Sequence, residues 1–72
     1  MNIEDVRIGD IIVYNKEWMT ILGVVYSTRK LVYLVDDTGF VDVFVNVLDS
    51  NGELKYDSVS ARIGADVSVI RK

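Results

Sequence analysis

The stretch Phe40-Val41-Asp42-Val43-Phe44-Val45-Asn46-Val47-Leu48 decides how the chain reads. Valine recurs at every second position, with Phe40, Asp42, Phe44, Asn46 and Leu48 between. Successive side chains of an extended backbone point to opposite faces, so this spacing predicts a β-strand with one all-valine face. The other face alternates apolar and polar residues, where a half-buried strand would carry polar ones alone. Such a strand is either covered on both sides or presents an aromatic strip to a partner.

Outward from this strand, Val and Ile dominate the apolar residues, and β-branched side chains favour the pleated sheet. Asn2 to Val6 suits one turn of helix, and Arg7-Ile8-Gly9-Asp10 a turn into a first strand, Ile11 to Tyr14. Asn15-Lys16-Glu17 reads as a hairpin loop and Trp18 to Tyr26 as a second strand. Gly23 within it marks a bulge or bend where the strand leaves one half of a barrel for the other. Ser27 to Lys30 is expected to close the next hairpin, with a third strand over Leu31 to Val35. Asp36-Asp37-Thr38-Gly39 has the pattern of a type I turn ending on a left-handed glycine. After the valine strand, Asn51-Gly52 within Asp49-Ser50-Asn51-Gly52 predicts a type I′ hairpin turn. A fifth strand follows from Glu53 to Tyr56 or beyond, then a loop or short 3₁₀ turn over Asp57 to Ala65, then a last strand from Asp66 to Ile70. Arg7-Ile8-Gly9 and Arg62-Ile63-Gly64 share one turn chemistry ahead of two strands. Proline, linkers and low-complexity tracts are absent, so residues 1–72 are expected to form one domain. The expected fold is all-β: a small five- to six-stranded, strongly bent antiparallel sheet or a barrel, since closure removes edges.

The run Ile8-Gly9-Asp10-Ile11-Ile12-Val13-Tyr14, the bent strand through Gly23-Val24-Val25, and Leu34-Val35-Asp36-Asp37-Thr38-Gly39 together resemble the layout of SH3-like barrels of the Tudor and KOW kind. In those families a Gly-Asp turn opens the first strand, a glycine sits in the second, and an Asp-rich turn joins the third and fourth. The resemblance covers about Ile8 to Leu48 and implies a small SH3-like barrel. The chain departs from KOW in lacking a basic surface, and from Tudor in lacking a clear aromatic cage.

A 72-residue domain buries only about 60% of its unfolded surface, so its stability margin is thin. Small proteins offset this with disulfides, a structural metal or an oligomer interface. The chain has no Cys and no His, so disulfides and the ligands of zinc, copper and iron sites are missing. No cofactor or metal is therefore expected. Half of the residues are hydrophobic and the mean hydropathy is +0.25, which suggests apolar surface buried between subunits of a homo-oligomer. The net charge of −3 disfavours phosphate backbones and anionic lipid, so neither nucleic acid nor membrane is an expected partner. An acidic beginning, Met1-Asn2-Ile3-Glu4-Asp5, and no apolar run of spanning length lead to an expected cytoplasmic location.

Chemical motifs are sparse. Asp37-Thr38-Gly39 is similar to the triplet of retroviral-type aspartic proteases, but Phe40 follows where a small residue is usual and Asp36 precedes where an apolar one is usual. Asp49, Asn51 and Gly52 mimic part of a calcium loop, yet alignment on the glycine puts Val47 and Ser58 where carboxylates belong. Without His or Cys, nucleophilic catalysis would need an activated Ser or Thr, and no enzyme is expected. The aromatics remain. If the valines fill the core, Phe40 and Phe44 point outward, with Trp18, Tyr33 and Asp42 as further contact candidates. The competing expectation packs Phe40 and Phe44 beneath the N-terminal segment or the 57–65 loop. The function expected is an interaction module that self-associates or binds a protein through the aromatic strip and a strand edge. Two alternatives stand beside it. One is an acidic inhibitor or decoy, of the kind small viral genomes encode, acting through Asp36, Asp37, Asp42 and Asp49. The other is a small-molecule sponge with its pocket between subunits.

Overall fold

The computed structural model describes residues 1–32 and 38–71. Strands β1 (Ile11–Lys16), β2 (Met19–Val32), β3 (Gly39–Leu48), β4 (Leu54–Arg62) and β5 (Ser68–Ile70) follow a single 3₁₀ turn, Ile3–Asp5. They form one antiparallel sheet in the order β4-β3-β2-β1-β5. The chain is thus all-β, and the sheet stays open, with β4 and β5 as its two edges.

The valine face of β3 is the core. Val41, Val43 and Val45 are buried together with Val25 and Ile12, and the N-terminal turn lays Ile3 and Val6 over them. Val59 and Ala61 of β4 and Val69 of β5 extend the layer. Each valine fully buried in this way contributes about 1.5–3 kcal/mol, so the alternating run is the main anchor of the fold. The N-terminal segment is held in place by backbone bonds, Ile3 N donating to Ala65 O at 2.9 Å and Val67 N to Met1 O at 2.8 Å. Asp10 is buried behind it, accepting from Arg7 N at 2.9 Å and from Arg71 Nη2 at 2.9 Å.

The second strand differs most from expectation. It spans 14 residues, and Ser27 to Lys30, expected as a hairpin, is strand throughout. Leu31 and Val32 belong to it too, whereas Tyr33 to Val35 of the expected third strand lie outside the described residues. The polar run of 27–30 was misleading because it is the surface of a paired strand: Arg29 sits opposite Asp42 and donates to it from Nη2 at 2.7 Å. β2 does pass from one half of the sheet to the other, pairing with β1 up to Val24 and with β3 from Val24 onward. The register shift falls between Val25 and Ser27 rather than at Gly23. Gly23 serves close approach instead, since a Cβ there would lie 2.7 Å from Val45 Cβ.

The turns are also redistributed. Asn15 and Lys16 extend β1, leaving Glu17 and Trp18 as a two-residue turn with both φ positive, 51° and 68°, as in type I′. Trp18 is therefore at a hairpin tip and does not begin β2. The 49–52 hairpin exists, but Asn51 has no positive φ. Gly52 N donates to Asp49 O at 3.0 Å and Gly52 alone is left-handed, a type I turn closed by a glycine bulge. The expected loop 57–65 is mostly β4, because Val59 and Ala61 alternate inward while Ser58, Ser60 and Arg62 face out. The two Arg-Ile-Gly triplets form the same turn, with Gly9 and Gly64 at φ 96° and 93° and the next residue's N bonded to the arginine carbonyl.

Candidate functional site

Because period two separates the faces, the side of the sheet opposite the core collects the non-valine residues of β3 and their cross-strand neighbours. Phe44 stands opposite Ser58 and Ser27, Asn46 opposite Tyr56 and Val24, and Leu48 opposite Leu54. The bulge turns Tyr26 onto this side, where its ring lies 5.6 Å from that of Tyr56 in an edge-on arrangement and 6.4 Å from that of Phe44. Arg29 caps the group with its guanidinium carbon 6.0 Å from the Phe44 ring centre. Around this cluster Leu22, Val24, Leu31, Phe40, Leu48, Leu54, Tyr56 and Ile70 are all exposed. The N-terminal segment packs on the valine side, so it does not cover Phe40 or Phe44.

At one end the face opens into a cleft. Pairing of β2 with β3 begins at Val24 and Asn46, while the β1–β2 hairpin continues to Met19 and the β3–β4 hairpin to Leu48 and Leu54. The two hairpins diverge and enclose about 700 Å³, with Met19, Leu22 and Val24 on one wall and Asn46, Leu48 and Leu54 on the other. The one buried side-chain polar atom without a hydrogen-bond partner among the described residues, Asn46 Oδ1, belongs to this wall.

The carboxylates expected to form an acidic patch are engaged locally. Asp42 accepts from Ser60 Oγ at 2.6 Å and from Arg29, and these donors, Ser60 foremost, lower its pKa. Asp49 accepts from the backbone N–H of Glu53 and of Asn51, both at 2.9 Å, and lies 3.4 Å from Lys55 Nζ; the same contacts hold its pKa down. Asp36, Asp37 and Tyr33 lie outside the described residues. Phe40, Asp42 and Phe44 share the outer face of β3. Trp18 does not join them: it stands at the β1–β2 tip, at the end of the sheet away from Phe40.

A second cluster lies on the core side, where Tyr14 donates to Asp57 at 2.8 Å and Lys16 Nζ is 3.1 Å from both carboxylate oxygens. Burial, then the carboxylate, pushes the Tyr14 phenol up to about 12, so it stays protonated near neutrality. The donated hydrogen bond in turn lowers the Asp57 pKa. The three groups brace β1 against β4. Among the described residues no group of three acidic side chains converges to hold a metal ion, and no helix is long and apolar enough to cross a membrane.

Leu22, Val24, Tyr26, Leu48, Leu54 and Tyr56 were not among the expected contact residues. For Tyr26 and Tyr56 aromatic character was a signal, but placing them beside Phe44 required the register. Thr20, Leu22 and Val24 alternate with inward Ile21 and Gly23 within the strand expected over Trp18 to Tyr26, but which of the two sets faces outward is decided by the pairing with β1 and β3. In comparisons with known proteins, no protein-family model, no curated protein and no solved structure matches the chain.

Proposed function

We propose that the protein is a non-enzymatic interaction module that associates with copies of itself through the outer face of its sheet. One observation carries this reading: the exposed large apolar side chains from Leu22 to Tyr56, Val32 apart, gather on the face that no element of the described chain covers. Aromatic and aliphatic groups concentrated in this way mark interfaces, since single scattered ones are ordinary. The area is sufficient. The accessible surface is 5335 Å² for 8.1 kDa, whereas a globular monomer of that mass exposes about 4,500 Å². The excess reflects an open sheet with one face left uncovered, which has room for the roughly 800 Å² that each partner buries in a standard interface. A long β2 shared between two halves, with β5 returning to β1, supports an SH3-like arrangement opened along one side. The acidic decoy has less support, because Asp42 and Asp49 already hold cationic partners.

Sedimentation or light scattering across the micromolar range tests the reading. The expected mass is at least twice 8.1 kDa, and Phe44→Asp is expected to reduce it to the monomer while the far-ultraviolet circular dichroism stays that of a folded sheet. A wild-type monomer at every concentration would overturn it.

A further inference from the structure

We infer that Trp18 anchors this self-association by seating in the cleft of a second copy of the chain, while the partner's Trp18 fills the cleft of the first. The inference rests on the self-association proposed above and assigns its hot spot. Trp18 is fully exposed, at 105% of its reference surface, and its φ of 68° lies in the left-handed region. A type I′ turn is best served by Asn-Gly, and a bulky residue in that conformation is an outlier. The strained backbone thus holds the largest side chain in the chain away from its own protein, and strain of this kind persists at binding and switch sites.

The cleft has the complementary chemistry. Its walls, from Met19 to Val24 and from Asn46 to Leu48 and Leu54, carry no charged side chain. Their one orphan polar atom is the Asn46 amide oxygen, an acceptor lacking a donor. Tryptophan offers an apolar body with one donor, the indole N–H, which needs a partner once buried. Asn46 lines the cleft, so its amide is the acceptor that an indole N–H seated there would meet. The volume of about 700 Å³ is ample for an indole.

The occupant is a second copy because of how knob and hole are placed. Trp18 adjoins Met19, which forms the wall of its own cleft. Knob and hole borne together at one end of the chain can be exchanged reciprocally about a two-fold axis, an isologous contact that closes the assembly as a dimer. The uncovered face beside the cleft continues the contact, with room for one interface of standard size.

Trp18 is the single tryptophan of the chain, so its fluorescence reports the contact directly. In the wild-type protein the emission is expected to move to the blue with concentration, along the same curve as the sedimentation mass. Trp18→Gly suits the turn and removes no contact of the folded chain, so the fold is retained while association weakens by roughly 30-fold or more, the effect of losing a hot-spot residue. Trp18→Phe keeps an aromatic body without the donor and is expected to fall between. Leu48→Arg, which changes the cleft and leaves the tip alone, is expected to dissociate the assembly and return the indole emission to that of water. Wild-type assembly with unshifted emission, or Trp18→Gly assembling as tightly as wild type, overturns the anchor and leaves the self-association standing. A protein monomeric at all concentrations overturns both.

Discussion

Gly23→Ala places one methyl group where the sheet has no room for it. The added Cβ would stand 2.7 Å from Val45 Cβ and 2.8 Å from Cγ2, against an ordinary carbon–carbon contact of about 3.5–4.0 Å. Val45 is completely buried, is paired on both sides to Val25 and Asp57, and has the stiff χ1 of a β-branched residue. The clash is therefore relieved only by moving strands by about 1 Å. Overpacking on this scale costs about 1–3 kcal/mol. Gly23 has no positive φ, so alanine recovers about 0.5–1 kcal/mol of unfolded-state entropy. The net loss is about 1–2 kcal/mol, a large share of the roughly 3–5 kcal/mol that a core of this size supplies. Urea unfolding at matched protein concentration, with a slope of about 1 kcal/mol/M, should show the midpoint fall by about 1–2 M. Val45→Ala costs stability alone and removes Cγ2 and Cγ1, at 2.8 and 3.2 Å, while keeping the Cβ at 2.7 Å, so Gly23→Ala with Val45→Ala is expected to lose less than the two single changes summed without recovering the whole clash. A Gly23→Ala protein as stable as wild type, or strict additivity in the cycle, would refute the packing of Val45 over Gly23.

Two further predictions concern pH. The carboxylates of Asp10, Asp42, Asp49 and Asp57 have folded pKa values below their ordinary ones. Their contribution is complete above the unfolded value of about 4 and lost as pH falls through the folded values, so the urea midpoint should hold steady from neutrality and drop in acid; a flat acid profile would contradict it. Tyr14 is raised to about 12, so the stability it contributes is full below its unfolded value of about 10 and disappears as pH rises toward the folded one. Tyr14→Phe, which deletes the donor to Asp57, is expected to cost about 1–2 kcal/mol at neutral pH and to abolish that alkaline loss; unfolding curves that coincide with wild type from neutral to alkaline pH would exclude the brace.

Much of the site was half legible. Phe44 could be placed opposite the valines from alternation alone, and it faces away from the core. Its companions Tyr26 and Tyr56 could not be placed beside it, because they come from β2 and β4 and meet it only through register. Trp18 reads from the sequence as an aromatic contact candidate at the start of a strand, since Glu-Trp carries none of the usual turn signals. The polar run 27–30 and the small residues of 57–62 looked like loops, because propensity weighs residues singly while cross-strand partners such as Asp42 for Arg29 and Ser60 lie far along the chain.

Alternation along Phe40 to Leu48 is enough to make this a β protein, to line one face with Val41, Val43 and Val45, and to line the other with Phe40, Asp42 and Phe44. Those facts follow from the two-residue repeat of an extended backbone, a property of local geometry. The run of β2 through to Val32, the open sheet, and the parting of two hairpins to leave an apolar cleft around Asn46 emerge only in the folded chain. These depend on pairings between distant segments and on the approach of Val45 to Gly23, where the free energy belongs to contacts and no single stretch of sequence holds both partners.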